Sequence, residues 1–270
     1  KTSENGLKVF SDPSFRILLL TKMTDPVLLK HQLGFGKTNE LINGHNEIIR
    51  KNLLLHGGSE VEHGGDGFII SFTSAAKAMA CALAIQKDMA FFDTTKLGFK
   101  IAINGGEPIE KSNKLFGDAI QLGNYLCAIA NSSQIAVASR VKQLVSKDHF
   151  HNKENNFLFL SPQDELLLQL LFNKLEEKWQ DPEFDIPEYC QAMAMSQSQL
   201  YRKTTALTGM SCNILLKEFR LEKAKELMKK QHYTISQITF DAGFTSPSYF
   251  TKCFKKKYGL LPIAYLDLLH

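Results

Sequence analysis

Residues Ile235 to Gly259 read ISQITFDAGFTSPSYFTKCFKKKYG, and this stretch decides the fold of the last third of the chain. It spells a short helix, a turn, and a second helix opened by Ser246 and closed by Gly259, where a helix C-cap favours positive φ. An earlier stretch has the same form: IPEYCQAMAMSQSQLYRKTTALTG, from Ile186 to Gly209, with Ser196 opening its second helix. Between the two, Ser211 to Gln231 carries Ile214, Leu215, Phe219, Leu221, Ala224, Leu227 and Met228 at helical spacing. Two helix-turn-helix units on one long helix imply a pair of reading heads on a rigid bar. Ile235, Ile238, Phe244, Phe250 and Phe254 are the expected core of the second unit, with Tyr258 and Pro262 closing its last turns.

The charge follows the same division. The net charge of +4 is modest, yet from Ser196 to Tyr258 there are twelve Lys/Arg against four Asp/Glu. The connector alone offers Lys217, Arg220, Lys223, Lys225, Lys229 and Lys230 on its polar face, whereas Asp164–Asp185 is acid-rich. A basic surface confined to the two heads and their connector is an electrostatic footprint for a polyanion.

The segment ISQITFDAGFTSPSYFTKCFKKKYGLLP, with RLEKAKELM before it, resembles the signature of the AraC/XylS family of transcription regulators. The order GF, S-x-S-x-F, F-K-K, G and P at this spacing is specific, and the resemblance runs from about Leu166 to Leu269. Asn213 departs from it, standing where the family often has proline. The resemblance implies sequence-specific binding to double-stranded DNA. Its outward positions fall on Ser198, Tyr201 and Arg202 in the first recognition helix, with Gln197, Gln199 and Lys203 as neighbours. In the second they fall on Pro247, Ser248, Thr251 and Lys252. Arg202 is the leading base contact, because its fork suits the O6/N7 edge of guanine. Lys255, Lys256 and Lys257 are expected on phosphates, where they add affinity and salt dependence without sequence choice.

The first 160 residues have another pattern. Arg16–Leu20, Ser59–Glu62, Phe68–Phe72, Phe99–Asn104 and Gln134–Ala138 read as strands, and Lys37–Leu55, Ser74–Met89 and Gly117–Ala130 as helices. FLFL (Phe157–Leu160) reads as an edge strand. The alternation predicts an α/β sandwich with one helical face. The expected domains are therefore 1–160, α/β, and 161–270, all-α, with helix-turn-helix units at about 186–209 and 235–259.

The stretch EVEHGGDGFIISFTSAAKAMACALAIQKDM, with LGFKIAINGGEPIEKSNKLFGDAIQLGNYLCAIANSSQIAVAS after it, resembles class III nucleotide cyclases. That resemblance covers about Phe15 to Val145. It implies a ferredoxin-like, cyclase-type sandwich and a homodimer, since the family builds its sites at a dimer interface. It also maps the chemistry. Asp66 matches one of two metal-holding aspartates, while Thr21 stands in the other's place and Asp25 follows four residues on. The transition-state asparagine falls on Gln121, the phosphate-binding arginine on Tyr125, and the base-selecting pair on Glu62 and Lys114. Losing a metal ligand and the arginine removes several kcal/mol of transition-state stabilisation each. The domain therefore reads as cyclase-like without cyclase activity, with no cofactor and no metal beyond Asp66 at most. Glu62, Asp66 and Gln121 form a possible nucleotide or other effector site; the competing reading makes Asp66 the exposed acid of a tight hairpin turn.

Several classes are excluded or set aside. The apolar runs are too short to span a bilayer, and KTSENGLKVF has no apolar core of a signal peptide, which points to the cytoplasm. The first residue is not Met, consistent with a fragment. Five scattered cysteines without CxxC spacing argue for reduced thiols. GFGKT (Gly34–Thr38) ends like a P-loop, but His31 replaces the first glycine; GGDGF has Gly67 where a GGDEF motif needs an acid. His149 and His151 lack a third ligand nearby. The leading expectation is a bacterial transcription regulator with a sensing or dimerising cyclase-like domain. The alternatives are an active, divergent cyclase governed by its helical domain, and an interaction scaffold.

Overall fold

The computed structural model describes residues 15–92, 98–107, 117–131, 134–145, 156–230 and 234–269. Lys114, His149 and His151 lie outside them. The chain divides into two compact units, Lys1–Pro26 with Phe35–Glu165, and Val27–Gly34 with Leu166–His270.

The first unit holds strands β1 (Arg16–Lys22), β2 (Ser59–His63), β3 (Phe68–Phe72), β4 (Lys100–Gly106), β5 (Ile135–Val137) and β6 (Phe157–Phe159) in one sheet of order β2-β3-β1-β4-β5-β6. The β1–β3, β1–β4 and β2–β3 ladders are antiparallel, and β4–β5 and β5–β6 are parallel. Between the strands lie α2 (Phe35–Leu55), α3 (Ala75–Phe92), α4 (Gly117–Ile129) and the short α5 (Ser139–Gln143), with α1 (Pro26–Leu33) preceding them in the chain.

One helical face does not suffice for this sheet. Successive residues of a strand point to opposite faces, and Leu18 and Leu19 are both fully buried. The row of Leu18, Leu20, Ala102 and Asn104 lies under α4: a Cβ on Gly123 would come within 2.5 Å of Leu20 Cδ1, and Asn104 Nδ2 donates to the Ala119 carbonyl at 2.9 Å. The opposite row, Ile17, Leu19, Ile70, Phe72, Ile101 and Ile103, is as deeply buried, and α3 contacts β1, β3 and β4. The apolar runs RILLL and KIAI reflect this double burial, as central strands covered on both sides do.

The second unit is helical: α6 (Pro162–Lys178, from Leu166 on), α7 (Ile186–Ala192), α8 (Gln197–Thr208), α9 (Cys212–Lys229), α10 (Ile235–Asp241), α11 (Pro247–Tyr258) and α12 (Pro262–Asp267). The sequence explains the ends. Ser196 caps α8 and Thr234 caps α10, each in a capping box with a glutamine three residues on, and Asp185 and Ser246 cap α7 and α11. Gly209 and Gly259 end α8 and α11 at φ +71° and +81°.

Val27 and Leu28 of α1 join the core cluster of this unit, with Leu221, Ala224, Met228, Ile238, Phe244, Phe250 and Phe254. The strand-and-helix pattern gives no sign of this helix, although Pro26 at its first position is a start signal. Gly34 ends it at φ +77°, so the GFGKT stretch is a joint between helices and not a phosphate loop. Ile214, one of the apolar residues at helical spacing on the connector, is 44% exposed, whereas Leu216 is buried.

Gly243 sits at φ +75° after α10, and a Cβ there would lie 2.3 Å from the Trp179 carbonyl oxygen and 2.8 Å from Arg220 Nε. At Gly259 the same Cβ would meet nothing within 4 Å. Gly259→Ala should therefore cost only the left-handed strain, about 1–2 kcal/mol, whereas Gly243→Ala adds overpacking and should cost about 2–5 kcal/mol. Urea denaturation of the two variants checks the order.

Candidate nucleic-acid interface

The two recognition helices are copies in register, 50 residues apart: Ser196 and Ser246 cap them, Leu200 and Phe250 are buried, and Gly209 and Gly259 close them. The outward residues match as well. Ser198, Tyr201 and Arg202 stand at i, i+3 and i+4 on α8, and Ser248, Thr251 and Lys252 at the same spacing on α11, so each trio shares one face. All but the half-buried Thr251 are exposed. Gln197 and Lys203 flank the α8 face and are exposed. Gln199 is exposed too, but its side-chain oxygen accepts from the Ser196 backbone N–H at 3.0 Å, leaving only its amide donors for other use. Tyr249, absent from the expected residues, is also exposed; its ring leans on Phe244, centroids 6.2 Å apart.

Behind these faces, α7 is anchored by Tyr189, whose buried hydroxyl donates to the Leu171 carbonyl of α6 at 2.7 Å. A cleft of about 360 Å³ opens beside the start of α8, bordered by Gln197, Ser198 and Tyr201 and by Ser211, Cys212 and Asn213 at the start of α9.

Half of the connector's basic face, Arg220, Lys223 and Lys225, is internal. Arg220 Nε donates to the Trp179 carbonyl at 2.9 Å and its Nη2 to that of Asp181 at 2.6 Å; burial pushes its pKa down, and Asp181 works against that shift. Lys223 pairs with Glu176 at 2.9 Å, and Lys225 with Glu222 at 2.9 Å. Lys257 likewise turns inward to Glu218 and Glu222, at 2.8 and 3.0 Å, contrary to its expected place on a phosphate. Arg202, Lys203, Lys252, Lys255 and Lys256 are the exposed cations of the two recognition helices, and none is in an ion pair among the described residues. The exposed basic footprint thus lies on the two recognition helices and at the end of the connector, where Lys229 and Lys230 are exposed.

Residues 189–267 match the model of a helix-turn-helix domain. The second unit carries an AraC-type helix-turn-helix domain. The chain is 30% identical to the HTH-type transcriptional regulator MtrA of Neisseria gonorrhoeae, over 37% of this chain and 31% of that protein. It is 36% identical to histidine kinase P4 of Formosa agariphila, over 39% of this chain and 8% of that protein. It is 26% identical to an adenylate cyclase of Podospora anserina, over 36% of this chain and 6% of that protein. The chain therefore spans less than a third of the length of each of these relatives.

In the cyclase-like unit, Thr21 is buried, and its hydroxyl oxygen accepts from the Phe68 N–H at 3.0 Å. The Met23 N–H donates to the Asp66 carbonyl at 2.7 Å, and a Cβ on Gly67 would strike the Thr21 carbonyl oxygen. The GGDG turn is thus tied to the end of β1 by its backbone. Asp66 itself is half-buried and Glu62 exposed. Gln121 is exposed and its amide donates to Tyr125 Oη at 2.6 Å, while Tyr125 is buried. No hydrogen bond or ion pair joins Gln121 to Glu62 or Asp66 among the described residues, and there no three His, Cys, Asp or Glu are grouped to hold a metal. Burial pushes the Cys81 and Cys127 thiols up to about 12. Among the described residues no helix is long and apolar enough to cross a membrane.

Glu222 offers a test of the ion pairs behind the interface. Burial works against its charge, but Lys257 and Lys225 outweigh it and hold the carboxyl down to about 2 from an ordinary 4.5. A depressed folded pKa stabilises the protein above the unfolded value, and that stabilisation is lost as pH falls through the folded one. Glu222→Gln should therefore flatten the acid limb: between pH 4.5 and 2 its denaturation midpoint should fall less than that of the unmutated chain.

Proposed function

We propose that this chain is a sequence-specific, DNA-binding transcription regulator. The observation that carries the reading is the pair of recognition helices with the same outward register, joined by one helix. The connector α9 has 18 residues, which span about 27 Å at 1.5 Å per residue. Two heads so joined suit successive major grooves on one face of DNA, about 34 Å apart. Arg202 takes a guanine edge, and Gln197, Ser198, Tyr201, Lys203, Ser248, Thr251 and Lys252 supply the remaining groove contacts. Lys255 and Lys256 hold phosphates. The domain division at about residue 160 separates this output from an input region.

The input region, in this reading, is a cyclase-like domain that has lost its chemistry and dimerises the regulator or senses a ligand. Two features support the loss. The position of the second metal ligand is a threonine whose oxygen is occupied by a backbone N–H. The two positions of transition-state stabilisation hold a glutamine and a tyrosine bonded to each other. Binding of a nucleotide near Glu62, Asp66 and Gln121 remains compatible with both. The competing reading, an active cyclase, draws on the similarity to an adenylate cyclase and on the retained Asp66.

Arg202→Ala should weaken binding to a specific duplex by about 1–3 kcal/mol and relax one base preference, while Lys256→Ala weakens all duplexes alike; titrations against matched and scrambled duplexes separate the two. Incubation with ATP or GTP and Mn²⁺ should give no cyclic product, and appreciable product would overturn the inactive-domain reading. Nucleotides that bind should raise the melting temperature.

A further inference from the structure

The run Lys255-Lys256-Lys257 ends the second recognition helix, and its three ammonium groups do not have the same surroundings. Lys255 and Lys256 are exposed. The Lys257 side chain is 21% exposed, and its Nζ has three partners: Glu218 Oε2 at 2.8 Å, Glu222 Oε1 at 3.0 Å and the Glu218 carbonyl oxygen at 3.1 Å. An ammonium has three donors, so none is left for a phosphate. The acceptors belong to the middle of α9. Tyr258 Oη donates to Glu222 Oε1 at 2.9 Å and Lys225 pairs with Glu222 Oε2 at 2.9 Å, while both ammonium groups lie over the Tyr258 ring, at 4.7 and 5.1 Å.

We infer that Lys257, through Glu218 and Glu222, is a positioning residue that sets the angle of the second recognition helix on the connector, and with it the half-site spacing the protein accepts. This rests on the regulator reading above. The apolar core that Phe250 and Phe254 share with Leu221, Ala224 and Met228 of the connector is non-directional and leaves a helix some freedom to roll and slide. Charge-assisted hydrogen bonds are short and directional. Those of Lys257 and Tyr258 fix the last turn of α11 to two successive turns of α9. The first helix-turn-helix has no lysine at the equivalent position: Leu207 stands 50 positions before Lys257.

The test uses the full chain and a duplex that it selects from a random library, with variants of that duplex in which one base pair is added or removed between the half-sites. Lys257→Met keeps the methylenes and removes the charge. It should reduce the preference for the selected spacing roughly tenfold, the scale of coupling within one ion-pair network. The slope of log K against log salt should stay that of the unmutated chain. Lys257→Arg should restore the preference. Lys256→Met should do the reverse of Lys257→Met, lowering the salt slope by about one while keeping the spacing preference. Should Lys257→Met fail to fold, Glu222→Gln loosens the same network while retaining the lysine charge, and the spacing preference should again fall. A Lys257→Met protein with a lowered salt slope and an intact spacing preference would show a phosphate contact and overturn the inference. Failure of the unmutated chain to select any duplex in a salt-dependent way would overturn the regulator reading, and the positioning role with it.

Discussion

The second unit is organised around one guanidinium. Helix α6 ends with carbonyls that no intrahelical N–H can reach, and a helix end buried without partners is costly. Arg220 supplies two donors in a fixed fork to the carbonyls of Trp179 and Asp181. Its position on the connector brings the end of α6 against the middle of α9, and the turn after α10 closes over the same place. Only a glycine fits there, because a Cβ on residue 243 would collide with both the carbonyl and the guanidinium. The close approach of three segments at one point explains the GF pair in the sequence: glycine for the approach, and Phe244 for the core beside it.

Around that point the charges separate into two groups by what they face. Lys223, Lys225 and Lys257 face acids of their own unit, and Glu222 is held ionised far below the ordinary carboxylate range by two of them. Arg202, Lys203, Lys252, Lys255 and Lys256 face outward. The first group ties the bar to α6 and to the second head; the second, with the exposed Lys229 and Lys230 of the bar, is what a polyanion would meet. A count of basic residues merges the two, and overstates the surface available to DNA.

In the cyclase-like unit the buried Thr21 sits in a well-satisfied structure. A buried aspartate without a metal would carry a large desolvation cost, whereas a hydroxyl oxygen there accepts a backbone N–H and closes the β1–β3 ladder. The Gln121–Tyr125 pair is of the same kind: two polar groups that satisfy each other on one helix face. Polar groups turned toward one another in this way keep the fold at little cost.

Local features were readable from the chain alone. The capping serines, the two C-cap glycines, the helical spacing of the connector and the alternation of strands and helices depend on neighbours within a few residues, and the described elements follow them closely. The outward faces of α8 and α11 were also readable, since residues three and four apart on a helix share a face. Spacing says which face a side chain takes, but not what stands opposite it. The acceptors of Lys257 lie 39 residues away at Glu218, and those of Arg220 lie 39 and 41 residues away. Only the tertiary structure decided that these cations turn inward, that α1 packs with the helical unit, and that the sheet is covered on both faces at its centre. Each of these depends on which surfaces meet after the chain has folded back, and no periodicity in the sequence records that.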